Sequence, residues 1–351
     1  MTVDAVYAGI GMIGSAMLTP VRQAVLFSKL PETTPSAAID RACCSGMTAI
    51  GFGMKDIRCG EADVVICGGF ESLSRTPILW PRQRERAIGD VSVTDPLLMR
   101  GLIVDRPISV YSGDESVRLG IDRVMQDEWA LASHERYFNA EGKGYFDFER
   151  FEVERSEQAG RIERFSADES PRLNTSLEKL ASLKTVYGSK TITAGNAPGL
   201  NDGAAFIAIT NRKTAMKNGM KPLARLVDYV QVSGAPTSGT VTPATAIAAL
   251  ADRNDVGLVD WDLVEINEAY AATPLVSTHV LANGDAGKKV KLRDKTNING
   301  GAVAIGHPLG ASGARIVMTL INGLRERGGG RGVAAICGGF GQGDGVMVIV
   351  D

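Results

Sequence analysis

This sequence predicts an α/β fold of two duplicated halves, with a long insertion in the first. Three observations carry that reading. A block opening Cys43-Cys-Ser-Gly46 and closing Cys67-Gly-Gly-Phe70 returns as Gly310-Ala-Ser-Gly313, closing on Cys337-Gly-Gly-Phe340. In each block an amphipathic helix stops at glycine, and an apolar run then leads into Cys-Gly-Gly-Phe. Between the blocks, Ser74 to Asn201 is rich in charge and turn residues.

Taken in order, Ser36 to Asp40 is extended and Cys43 sits just before a helix. That helix puts Met47, Ile50, Met54 and Ile57 on one face, with Lys55, Asp56 and Arg58 away from it. Cys59-Gly60 stops it, and Asp63-Val-Val-Ile-Cys67 is a strand of the buried type. The insertion carries helices over Val124 to Phe138 and Thr175 to Leu183. Its charged stretches include Trp80 to Arg86 and Asp168 to Arg172. It is too structured for a linker, and such insertions carry ligand contacts. Leu263 to Asn267 runs from a strand into a helix start. Asn299 to Gly313 is a glycine-rich loop holding His307, one of three histidines. The second repeat helix buries Ile316, Val317, Leu320, Ile321 and Leu324, stops at Gly328, and hands over to Val333-Ala-Ala-Ile-Cys337.

Bulk properties exclude more than they assign. A chain of 351 residues exceeds one ordinary core, so two or three lobes are expected. Apolar content of 44% with 22% charged residues is that of a globular protein. A net charge of −2 gives no reason to expect nucleic acid or an anionic membrane. Local basic clusters leave room for a phosphorylated small molecule. No apolar run approaches the roughly 20 residues that span a bilayer, and no signal peptide opens the chain. Five cysteines suit a reducing cytoplasm, and none is spaced with histidine as a zinc site would be.

The chemistry sits on loops. Cys43 at a helix start is placed where the dipole favours a thiolate, which lowers a thiol pKa from about 8.5 by one or more units. His307 could take its proton and Cys337 could serve as a second acid/base. Asn267 could aim its amide at a water or an oxyanion, and the backbone around Gly339 could form another oxyanion site. Cys44, Cys59 and Cys67 read as structural, as do His134 and His279.

Cys43-Cys-Ser-Gly, Cys67-Gly-Gly-Phe-Glu-Ser72, Thr193 to Ala205, Asn267-Glu-Ala-Tyr270, Gly300 to Pro308 and Cys337 to Gly343 together resemble the thiolases, acetyl-CoA C-acyltransferases. The resemblance covers nearly the whole chain. It implies two βαβαβαββ halves in alternating α and β layers. The first half would take residues 1–73 and 203–222, the loop domain 74–202 and the second half 223–351. It further implies that Cys43 carries the acyl group as a thioester. His307 would activate it and, with a water held by Asn267, polarise the substrate carbonyl. Cys337 would move the α-proton, and the N–H groups of Cys43 and Gly339 would hold the oxyanion. Coenzyme A is then a substrate rather than a bound cofactor, acyl-CoA and CoA are the partners, and the assembly is a cytoplasmic homodimer or homotetramer.

The match departs in two places. Val3 to Gly9 resembles the family's second strand, so the first strand and helix are expected to be missing. Because that strand is taken to lie inside the first sheet, unpaired backbone and an exposed apolar groove should follow. The substrate walls differ too. Tyr111-Ser112 stand where a His-Met pair is expected, Pro198 replaces a serine that meets pantetheine, and Ser238 to Pro243 replaces Met-Gly-Ile-Gly-Pro. A branched or longer acyl group is therefore expected. Two rivals are a β-ketoacyl synthase-like condensing enzyme, which Cys337 argues against, and an inactive thiolase-like binding or scaffold protein.

Overall fold

The computed structural model describes residues 2–13, 18–80, 93–156 and 162–351. The first half begins with β1 (Ala5–Gly9), α1 (Pro20–Phe27), β2 (Ser36–Ile39), α2 (Ser45–Cys59) and β3 (Val64–Ser72). The insertion supplies α3 (Ile108–Arg118), α4 (Arg123–Glu141), the paired strands β4 (Val153–Ser156) and β5 (Ile162–Phe165), and α5 (Leu177–Ala181). Then β6 (Asp202–Thr210) returns to the first sheet and α6 (Arg212–Lys217) closes the half. The second half is β7 (Arg225–Ser233), α7 (Thr242–Arg253), β8 (Leu263–Ile266), α8 (Ala272–Ala282), α9 (Ala286–Asp294), α10 (Ala302–Ile305), α11 (Leu309–Glu326), β9 (Gly330–Gly338) and β10 (Gln342–Val350). Of the charged stretches expected in the insertion, residues 81–86 lie outside the described residues.

The two sheets repeat each other. The first has the order β2-β1-β3-β6 and the second β7-β10-β9-β8. In both, a parallel pair (β1 with β3, β8 with β9) is followed by an antiparallel strand (β6, β10). The expectation of unpaired backbone inside the first sheet is corrected here. β1 is paired on both sides, by β2 and by β3. The second half shows where an additional strand sits: β7 lies at the sheet edge, antiparallel to β10. Its counterpart position is the outer edge of β6, which has no partner strand among the described residues. The difference between the halves lies at an edge and leaves the sheet interior intact.

Helices α2 and α11 form the layer between the sheets, packing on each other and on strands of both halves. α1 buries Val21 and Val25 on the outer face of the first sheet, while α7 and α8 cover the second with Ala244, Ile247, Leu250 and Leu281. Helices and sheets therefore alternate. Being sandwiched explains why α2 is buried from Ser45 through Gly51, beyond its apolar stripe. Its small residues face α11 at backbone contact. A Cβ on Gly46 would stand 2.3 Å from Gly310 O, and one on Gly313 would stand 2.4 Å from Met47 N. Glycine is required there for close approach.

Candidate functional site

The chain leaves β2 through a tight elbow. Ala42 is held at φ 51°, a left-handed conformation that alanine resists, and Asp40 Oδ1 accepts from its N–H at 3.0 Å. Ser45 Oγ donates to Ala42 O at 2.6 Å and accepts from Arg41 N at 2.8 Å. The Arg41 guanidinium reaches across to β10, pairing with Asp344 and donating to Gln342 Oε1 at 3.0 Å. Asp344 is fully buried and also accepts from Thr48 at 2.6 Å and Tyr229 at 2.8 Å. The elbow that carries Cys43 is thus clamped by the second half.

His307 enters just before α11. Gly306 sits at φ 116°, and a Cβ there would meet the side chain of Asn201, whose Oδ1 accepts from His307 N at 3.0 Å. Ser312, one turn into α11, gives its hydroxyl proton to Pro308 O at 2.9 Å and meets His307 Nδ1 at 2.7 Å. With that proton committed, Nδ1–H is the donor and Nε2 carries the free lone pair. Nε2 lies 3.4 Å from Asn267 Nδ2. Asn267 is set at the end of β8 by its N–H to Ala335 O, 3.0 Å, and its Oδ1 is buried without a protein partner.

Cys337 closes β9, and the turn Gly338 to Gly341 leads into β10 with Phe340 at φ 58°. A Cβ on Gly338 would stand 2.8 Å from Cys44 Sγ, so this turn presses on the elbow of the other half. Cys43, His307, Cys337 and Gly339 line one cavity of about 320 Å³. Leu97, Met99, Ile108, Tyr111, Tyr270 and Leu309 contribute to its mainly apolar wall.

Burial sets the protonation. It pushes the Cys43 thiol well above its ordinary value, with Cys337 and Glu71 adding to the effect. It takes Cys337 up to about 12 and His307 down to about 3, the nearby Arg315 charge lowering His307 further. A lowered Cys43 pKa, expected from the helix start, is therefore corrected. Desolvation outweighs the dipole, and the resting site holds two thiols and a neutral imidazole.

Of the expected substrate contacts, Pro198 and Ser112 line the cavity. Ser238 does not; its successors Gly239 and Thr240 do, Thr240 being fixed by N–H donation to Glu115 at 3.1 Å. Several supporting residues were missed. Ser312 lies inside the Gly310 to Gly313 repeat, and Asp344 is visible as a lone carboxylate in an apolar strand. Glu268 accepts from Trp129 and Ser133 of the insertion at 2.8 Å each, and from Asn297 at 2.9 Å. Glu71 Oε2 accepts from Gly11 at 2.7 Å and Gly310 at 3.1 Å. Among the described residues, no cluster of His, Cys, Asp or Glu is placed to hold a metal, and no helix is long and apolar enough to cross a membrane.

The thiolase N-terminal domain family matches residues 1–213, and the thiolase C-terminal domain family matches 220–350. An acetyl-CoA acetyltransferase of Allochromatium vinosum is 35% identical over 346 residues, covering 97% of this chain and 86% of the relative. A beta-ketoadipyl-CoA thiolase of Pseudomonas aeruginosa is 37% identical, covering 92% and 81%. The crystal structure of human mitochondrial 3-ketoacyl-CoA thiolase superposes with a TM-score of 0.92 at 35% identity, over 100% of this chain and 88% of that one.

Proposed function

The chain belongs to the thiolase family and is an acyltransferase of that kind; from that premise we propose that its acyl group passes through Cys43. The substrate is a 3-oxoacyl-CoA in one direction and an acyl-CoA with acetyl-CoA in the other. In thiolysis, Cys43 Sγ attacks the 3-oxo carbon as its proton moves to His307 Nε2. The bond between the α-carbon and that carbonyl breaks, and the enolate carbon takes the Cys337 proton. Acetyl-CoA leaves, and the acyl group remains on Cys43. Incoming CoA gives its thiol proton to Cys337 and attacks the thioester. Cys43 departs and recovers its proton from His307. Condensation is the reverse.

Asn267, through a water, and His307 face one developing oxyanion; the N–H groups of Cys43 and Gly339 face the other. A neutral, desolvated imidazole is a poor base until substrate fills the cavity and negative charge develops on its oxygen. Proton transfer is thereby tied to occupancy. The observation that carries this reading is that Cys43, Cys337 and His307 line one cavity, with Ser312 Oγ 2.7 Å from His307 Nδ1 and Asn267 Nδ2 3.4 Å from Nε2. A cytoplasmic setting suits a chain whose five cysteines are all free.

The test is CoA-dependent cleavage of acetoacetyl-CoA and a longer 3-oxoacyl-CoA by the parent and by Cys43→Ala. The variant is expected to lose at least about 10³-fold in kcat, and acyl-enzyme seen by mass spectrometry should vanish with it. A folded parent inert on both thioesters would overturn the proposal. Activity on acyl carrier protein thioesters instead would support the synthase-like rival.

A further inference from the structure

Glu115 is a buried carboxylate, 5% exposed, that the acyl-transfer steps leave unused. It sits on α3 of the insertion, and its Oε2 accepts from the N–H of Thr240 at 3.1 Å and from the Thr240 hydroxyl. Thr240 belongs to the second half and, with Gly239, lines the cavity of Cys43 and Cys337. Its carbonyl is held as well, accepting from Ser277 Oγ of α8 at 2.9 Å. Two residues on, Thr242 Oγ1 donates to Gly239 O at 2.9 Å and to Gln342 O, at the exit of the Cys337 turn, at 2.8 Å. Gly239 has no side chain, and a Cβ there would meet no atom within 4 Å. Hydrogen bonds therefore do for this stretch of wall what side-chain packing does elsewhere. Those from Ser277 and to Gln342 stay within the second half, whereas the Glu115 clasp ties the wall to the insertion. A carboxylate oxygen that takes two bonds from one residue fixes both its position and its orientation, and such charge-assisted bonds are the stronger kind. Arg118 lies 3.4 Å from the other oxygen but is 65% exposed, so that pairing adds little. Burial does most to raise the Cys337 thiol pKa, and the Glu115 charge adds to it, which places the clasp beside the reacting groups.

We infer that Glu115 is a positioning residue for acyl transfer: through Thr240 it fixes the wall at Gly239 and Thr240, and with it the place the acyl chain takes beside Cys43 and Cys337. Chain-length selectivity is then set in part from the insertion, by a residue outside the cavity lining. This rests on the acyl-transfer reading above.

The experiment measures kcat and KM on acetoacetyl-CoA and 3-oxohexanoyl-CoA for the parent, Glu115→Ala, Glu115→Gln, Thr240→Val and Arg118→Ala. The parent is expected to discriminate between the two chain lengths by about 10-fold or more in kcat/KM, and E115A should bring that ratio close to one. E115Q, whose amide oxygen still accepts from Thr240, should keep the parent's ratio, and so should R118A. T240V should relax the ratio in part, and adding it to E115A should change nothing further, since both break one clasp. A parent ratio near one or a ratio unmoved in E115A would overturn the inference. So would equal losses on both substrates, which is what a merely structural role predicts. E115Q as relaxed as E115A would also overturn it, because charge rather than hold would then be at work. If E115A fails to fold, T240V decides: the parent's ratio in that variant sinks the idea. The two readings fail separately. A parent that cleaves neither thioester removes the acyl-transfer reading; one that cleaves both without the expected pattern removes only the Glu115 assignment.

Discussion

At Cys43 two effects oppose each other, and their sizes decide the resting state. The helix start favours the thiolate by about 0.3–1 kcal/mol, while burial favours the thiol and moves its pKa well upward. Burial wins, so the free enzyme should be slow to react at this residue. Treated with iodoacetamide at pH 7, exposed Cys59 is expected to be alkylated first, and Cys43 should follow only as pH is raised beyond the ordinary thiol range. Peptide mapping against time checks this, and prompt modification of Cys43 at neutral pH would restore the ion-pair picture. Sequence alone located the proposed nucleophile, because Cys-Cys-Ser-Gly before a helix is a local pattern. Its protonation state was not legible, since that depends on walls contributed by Leu97, Tyr111 and Leu309 from three separate segments. The same holds for His307: the loop was visible, but the tautomer hangs on a hydroxyl one turn further along.

Among the elements, α2 and α11 show what periodicity can and cannot reveal. The apolar stripe of Met47, Ile50 and Met54 was readable and is buried. The opposite face, Ser45, Thr48 and Ala49, reads as polar or small and would ordinarily be assigned to solvent. It is buried because strands, not water, lie against it: Thr48 donates to Asp344 of β10, and a Cβ on Gly9 of β1 would stand 2.6 Å from Ser45 Cβ. Helix lengths in the insertion were also nearly right: the expected Val124 to Phe138 is α4, and the expected Thr175 to Leu183 shrinks to α5. The contact between α2 and α11 yields a stability prediction. Gly313→Ala places a methyl 2.4 Å from Met47 N and 2.8 Å from Met47 Cβ. Forcing the helices apart should lower the unfolding free energy by about 1–3 kcal/mol, with turnover falling as the Cys43 elbow and His307 are displaced. Denaturant titration measures it, and G313A as stable as the parent would mean that the helices part freely.

For the molecule as a whole, buried titratable groups set how stability answers to pH. His134 and His307 fall from 6.5 to about 4 and about 3, so their contribution is complete above pH 6.5 and is lost as pH drops through those values. Glu149 and Glu265 rise from 4.5 to about 7 and about 8; theirs is complete below pH 4.5 and is lost as pH climbs through those values. From 4.5 to 6.5 the two pairs cancel in proton count, and above 6.5 only the glutamates act. Glu265→Gln should therefore be more stable than the parent at pH 8, by roughly 1–3 kcal/mol, with the difference shrinking as the buffer is made acidic. Melting curves across that range decide it, and a pH-independent difference would remove Glu265 from this role. The seam where Gly46 meets Gly310, and Gly313 meets Met47, has a historical meaning as well. One half supplies Cys43 and the other His307 and Cys337. At this seam neither copy was at liberty to change size, because each leaves no room for a larger neighbour. What reads as a repeated motif is in that respect a mutual constraint, carried by whichever residues cannot grow.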